Sequence, residues 1–175
     1  MIKGGIGGAK TQTGLSFEKR TDLREAFTKF SEYTFKNGEL LFKDKVVAKL
    51  FKKHDFYKMF LEPKGIDYEK IISKKLLPDE VIYVLTNESL FIIEMKFQEV
   101  AGSVDEKLQT CDFKKKQYEK LLAKTRITVE YVYVLSDWFK HSSYKDVLDY
   151  IKSVKCNYFF EMLPFEFLGL PKPEI

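Results

Sequence analysis

The sequence predicts an α/β fold: a central mixed sheet with helices packed on it. Three observations predict it. Two apolar runs with strand periodicity, Glu80–Leu85 and Leu90–Phe97, flank a short polar turn, Thr86-Asn87-Glu88-Ser89. Segments with helical spacing alternate with β-rich runs along the rest of the chain, giving the order α-β-β-β-α-β around one sheet. The chain also carries 16 Phe and 10 Tyr in 175 residues, ample apolar surface for a core, which excludes a disordered chain.

Element by element, residues 2–14 hold five of the nine glycines and almost no apolar side chain, and read as a glycine-rich arm (1–14) on a single domain spanning 1–175. A helix is predicted over Leu15–Tyr33, from Leu15, Leu23, Ala26, Phe27 and Phe30 at helical spacing. Short strands follow at Glu39–Lys43 and Val46–Phe51. A helical stretch over His54–Leu61 stops at Pro63. After the Glu80–Phe97 hairpin come a Lys-rich helix over Val104–Leu122, a strand at Val129–Leu135, a helix over Tyr144–Val154 and a last strand at Asn157–Met162.

Several function classes drop out. No apolar run reaches the roughly 18–20 residues that span a bilayer, and the start MIKGGIGGAK lacks a secretory apolar region, so a soluble cytoplasmic protein without a membrane partner is expected. Cys111 and Cys156 make no Cys-x-x-Cys pair, which argues against zinc or a disulfide framework. With only His54 and His141, a Ser/His/Asp triad is a poor reading. Gly4-Gly5-Ile6-Gly7-Gly8-Ala9-Lys10-Thr11 imitates a phosphate-binding loop, but Ala9 replaces its second glycine and no strand can precede it. The net charge is +4, and it is unevenly spread. Residues 1–24 carry five positive and two negative side chains, residues 104–126 seven and four, and the last twenty are net negative. Basic patches on a near-neutral background suit a polyanionic partner.

The chemistry concentrates in Phe91-Ile92-Ile93-Glu94-Met95-Lys96-Phe97. Strand periodicity puts Phe91, Ile93, Met95 and Phe97 on one face and Ile92, Glu94 and Lys96 on the other. Two charges on so apolar a strand need partners. A salt-bridged pair on an exposed edge strand is the ordinary alternative. The preceding strand favours more: with the turn centred between Asn87 and Glu88, Asp79 lies opposite Lys96 and diagonal to Glu94. Two carboxylates and an ammonium then meet at one end of a hairpin, while Glu80 points to the other face. Like carboxylates repel unless a proton or cation lies between them, and a hard divalent ion, Mg²⁺ above all, relieves that. Lys96 beside it is free to meet a phosphate or a water, an arrangement suited to metal-assisted attack on a phosphodiester.

Pro78-Asp79, then fourteen residues, then Glu94-Met95-Lys96 resembles the PD-(D/E)xK nuclease superfamily, whose core is likewise αβββαβ. Gly14-Leu15-Ser16-Phe17-Glu18 resembles its first-helix element, and Lys114-Lys115-Lys116-Gln117-Tyr118 falls on the helix where many members place a Gln or Lys near the active site. The glycine-rich Gly7–Gly14 and the stretch Gln98–Gln109 are similar to small restriction endonucleases. The resemblance implies a restriction-endonuclease-like core and Mg²⁺ held by Asp79, Glu94, Glu18 and the Met95 carbonyl, with Asp79, Glu94, Lys96 and Glu18 as the catalytic set. It implies backbone contacts to double-stranded DNA from Lys3, Lys10 and Gln12 on the arm and from Lys107, Lys114, Lys115, Lys116 and Gln117. The implied activity is that of a type II restriction endonuclease, a homodimer on a palindromic site that leaves 5′-phosphate and 3′-hydroxyl ends. A Holliday-junction resolvase and a catalytically silent DNA-binding module are the alternatives.

Overall fold

The computed structural model describes residues 14–17, 22–98 and 104–174. It is a mixed α/β fold built on a seven-stranded sheet flanked by helices. The strands are β2 (Tyr33–Lys36), β3 (Glu39–Phe42), β4 (Lys45–Phe51), β5 (Glu80–Val84), β6 (Ser89–Lys96), β7 (Thr128–Leu135) and β8 (Asn157–Phe160), and they lie side by side in chain order. From β2 to β6 every pairing is antiparallel. From β6 to β8 the strands run parallel, so each step there needs a crossover. Helices α3 (Val104–Leu108) and α4 (Cys111–Leu122) supply the first crossover, and α5 (Lys145–Ser153) the second.

Local chemistry explains the tight turns. Lys36 pairs with Glu39, so Asn37-Gly38 is a two-residue loop, and both residues have positive φ (52° and 80°), as a type I′ hairpin requires. Lys43-Asp44 repeats this between β3 and β4, with φ of 46° and 65°. Strand β6 lies between β5 and β7, and Ser89 through Glu94 are buried, which explains its near-continuous apolar sequence.

Each face of the sheet covers its own core. One core gathers Val81, Leu90 and Ile92 with Tyr118, Leu121 and Leu122 of α4, Ile151 of α5, and the aromatic pairs Phe56/Tyr57 and Tyr131/Tyr133. The other gathers Ile82, Phe91 and Ile93 with Leu23, Ala26 and Phe27 of α1 (Leu23–Thr28), Leu15, and Phe165 of the short helix α6 (Phe165–Leu168).

The expected first helix is the main correction. Among its described residues only Leu23–Thr28 is helical, started by Asp22, whose side chain accepts from the Glu25 N–H at 2.7 Å. Gly14–Ser16 is instead a strand, β1, paired antiparallel with β9 (Met162–Pro164), and Tyr33 begins β2. At Gly14 a β-carbon would lie 2.8 Å from the Leu163 carbonyl oxygen, so glycine permits this close pairing. The Lys-rich helix is broken at Gln109-Thr110, where the Thr110 hydroxyl donates to the Lys107 carbonyl at 2.7 Å. The His54–Leu61 stretch is one α-turn, α2 (Lys53–Asp55), running into a π-helical turn, Phe56–Leu61. The last strand stops at Phe160, because Glu161 takes a positive φ of 55° and turns the chain into β9. Among the described residues no helix is long and apolar enough to cross a membrane.

Candidate functional site

Strands β5 and β6 pair from Glu80↔Ile93 to Val84↔Ser89, two residues out of the register expected from the turn. A shift of two leaves every side chain on its expected face, because the strand period is two. Asp79 lies just beyond the last paired residue. Its Oδ2 accepts from the Met95 N–H at 3.1 Å, in place of the ladder partner that β5 no longer supplies.

Lys96 Nζ lies 2.9 Å from Glu94 Oε2 and 3.5 Å from Asp79 Oδ2, so one ammonium bridges both carboxylates. Glu94 Oε1 faces a second ammonium, Lys114 Nζ of α4, at 3.3 Å. The Glu94 side chain is 7% exposed, and a carboxylate so buried is costly without partners such as these. Its charge is felt around it. Burial, and behind it Glu94, pushes the Tyr131 phenol far up. Tyr118 is raised in the same direction by burial, then by Tyr57, Glu94 and Asp79. Both phenols are therefore held protonated beside the carboxylates.

The opposite face carries a separate cluster. Glu80 is buried, its Oε1 accepts from the Leu23 N–H at 3.3 Å, and Lys52 Nζ sits 3.0 Å from that oxygen and 2.8 Å from Asp22 Oδ2. Burial raises the Glu80 carboxyl pKa, with Lys52 opposing that rise. For Asp22, partial burial works upward, but the Lys52 and Glu25 hydrogen bonds outweigh it and the pKa is lowered. This cluster ties the start of α1 to β4 and β5. Glu80 thus points away from Asp79 and Glu94, as strand alternation predicts.

The remaining candidates separate clearly. Lys114 comes to the carboxylates. Lys115, its neighbour, is buried on another side of α4 and donates to the Lys155 carbonyl at 2.7 Å, pinning α4 to the turn before β8. That bond takes Lys115 out of reach of an external partner, contrary to the expected DNA contact. Lys116 is exposed and pairs with Asp112 at 2.7 Å, Gln117 is half-buried, and Lys107 and Gln109 are exposed. Glu18, Lys3, Lys10 and Gln12 lie outside the described residues. Helix α1 covers the sheet face opposite Asp79 and Glu94. Sequence reasoning did not foresee that Lys114 would partner Glu94; the Lys-rich run was the signal, but the facing of a helix residue emerges only on packing.

Among the described residues no three His, Cys, Asp or Glu side chains converge as a metal group. Among the described residues the donors available to a cation here are the two carboxylates, joined by the Met95 carbonyl. An extended residue sends its N–H and C=O to the same strand edge, so that carbonyl faces the edge where Asp79 meets the Met95 N–H. All three are hard oxygen donors, and Mg²⁺ commonly takes one or two carboxylates while keeping several waters, so the set fits. Comparisons with protein-family models, curated proteins and solved structures returned no match.

Proposed function

We propose that this chain is a metal-dependent endodeoxyribonuclease that hydrolyses phosphodiester bonds of double-stranded DNA, built on a restriction-endonuclease-like core of α1, β4, β5, β6, α4 and β7. The observation that carries the reading is the bridge of Lys96 between Asp79 and Glu94, at the end of two adjacent antiparallel strands. The biological role that fits the resemblance is a type II restriction endonuclease, a homodimer with one site per DNA strand.

In this reading Asp79, Glu94 and the Met95 carbonyl would hold Mg²⁺, with Glu18 as the further ligand implied by the resemblance. The ion, when bound, lowers the pKa of a water and offsets charge developing on the attacked phosphate. Lys96 exchanges its carboxylate partners for the phosphate and the attacking water, orienting that water and stabilising the phosphate. Lys114 stays on Glu94 and fixes its orientation. Exposed Lys116 and Lys107 contact the DNA backbone, and such contacts weaken as salt rises.

The test is incubation of the protein with linear plasmid and genomic DNA in Mg²⁺, beside an EDTA control and a Lys96→Ala variant. Discrete metal-dependent fragments from the wild type are expected. Lys96→Ala should bind DNA in a mobility shift but not cut it. Full cutting by that variant rejects the assignment. Cutting of four-way junctions but not of linear DNA transfers the reading to a junction resolvase.

A further inference from the structure

Beyond the C-terminal end of β7 the chain makes two tight 3₁₀ turns, Asp137–Lys140 and Ser142–Tyr144, which line a half-open pocket of about 630 Å³. That lies within the usual range for small-molecule sites, roughly 300–1,000 Å³. Its lining is Asp137, Trp138, Lys140, His141, Ser143 and Tyr144. Location is the first argument. The Ser136 N–H donates to the Lys96 carbonyl at 3.0 Å, so the pocket begins one residue beyond a direct bond to the candidate catalytic strand. It also sits outside the C-terminal ends of parallel strands, where open α/β sheets bind ligands.

Construction is the second argument. Phe139 is fully buried and stacks edge-on against Tyr144 at 4.9 Å, so the turn is anchored from beneath. Trp138 is left 37% exposed, and its Nε1–H donates to the Tyr144 hydroxyl at 2.7 Å, locking the two aromatic groups together. The Ser143 N–H donates to His141 Nδ1 at 3.3 Å, which makes Nδ1 an acceptor and leaves Nε2 as the ring's donor.

Charge is the third. Asp137 and Lys140 pair at 2.5 Å and cancel, so the pocket does not favour a phosphate. What remains is an aromatic wall with hydroxyl and imidazole groups at its edge. Those groups match a planar ring with polar edges. From the geometry we infer that this pocket binds a nucleobase, unpaired and stacked on Trp138 close to the phosphate cut at Lys96. The inference rests on the nuclease reading and extends it: the substrate, when engaged, presents at least one base out of its stack.

Trp138 is the only tryptophan in the chain, so its emission reports on this pocket alone. The protein, in EDTA to prevent cleavage, is titrated with a short single-stranded deoxyoligonucleotide, and with an abasic oligomer of the same length. Binding of each labelled strand is followed in parallel by anisotropy. Saturable quenching by the base-bearing strand only, with about tenfold weaker binding for Tyr144→Ala or Trp138→Ala, is expected for the loss of one base–aromatic stack. Equal quenching by the abasic strand overturns the inference. So does unchanged emission while anisotropy shows DNA bound, and in that outcome the nuclease reading survives. Absence of binding by anisotropy also overturns the inference, while the nuclease reading stands or falls by the cutting of double-stranded DNA in Mg²⁺.

Discussion

Replacing Lys96 by Met keeps the aliphatic stem and removes the ammonium from between Asp79 and Glu94. The two oxygens lie 3.5 Å and 2.9 Å from one nitrogen, so they can be no further apart than those distances end to end, about 6.4 Å. At an effective dielectric of about 20, two unit charges at that separation repel by about 2.6 kcal/mol. Two features reduce the net effect. The Asp79 side chain is 43% exposed and screened by water, and Lys114 remains on the other Glu94 oxygen at 3.3 Å. A loss of about 1–2 kcal/mol is the expected outcome, between the small value of an exposed ion pair and the roughly 3–5 kcal/mol of a broken buried one.

The assay is urea unfolding of wild type and Lys96→Met, in EDTA and then in Mg²⁺. A ligand that binds only the folded state stabilises it by about 1.4 kcal/mol at ten times its Kd. In the wild type the cation must displace Lys96 from the carboxylates; in the variant it meets no such competitor. Lys96→Met should therefore gain more from a given Mg²⁺ concentration than the wild type does, and a Glu94→Gln change on top should remove that gain. Unchanged stability of Lys96→Met in EDTA, or equal Mg²⁺ gains in the two proteins, refutes the reasoning that the carboxylates share one cation position.

Two further predictions concern the other face of the sheet. The Glu80 carboxyl has a raised pKa from burial, so the wild type loses stability as pH rises from the unfolded value, about 4.3, through the folded one. Glu80→Gln keeps an acceptor for the Leu23 N–H and does not titrate, so it should gain on the wild type between pH 4 and pH 7 in urea midpoints; a flat difference across that range rejects the account. Gly14→Ala would put a β-carbon 2.7 Å from Met162 Cγ and 2.8 Å from the Leu163 carbonyl oxygen. It should cost about 1–3 kcal/mol in thermal or urea unfolding through loss of the β1–β9 pairing, and a neutral result removes that ribbon from the stability argument.

What the sequence revealed follows from the range of each signal. Asp79, Glu94 and Lys96 were legible together because strand alternation survives a register error of two, the size of the shift observed between β5 and β6. Strand β1 was not legible, because Gly14–Ser16 pairs with Met162–Pro164 at the far end of the chain, and Leu15 fits a helical pattern as well as a strand. The hairpin at Asn37-Gly38 carried a local signal, an Asn-Gly pair with Phe35 and Leu40 beyond its charged neighbours Lys36 and Glu39, but no strand was expected between the helix ending at Tyr33 and Glu39 to use it. The pocket around Trp138 was hidden for another reason: turn residues have no period, and only the burial of Phe139 shows which side chains the turn must expose.

The adjacent lysines of α4 show how packing assigns roles that composition cannot. Residues one apart on a helix differ by about 100°, so Lys114 and Lys115 leave α4 in different directions. Lys115 closes the helix onto the turn before β8, and Lys114 crosses to Glu94. That division matters to the proposed chemistry. Glu94 is buried, and a buried carboxylate stripped of all cations is strongly destabilised. With Lys114 on one oxygen, Lys96 can leave the other for a phosphate without leaving Glu94 bare. A site with Lys96 alone would have to choose between stabilising its own carboxylate and meeting a substrate; the second ammonium, supplied from the helix and not from the strand, removes that conflict.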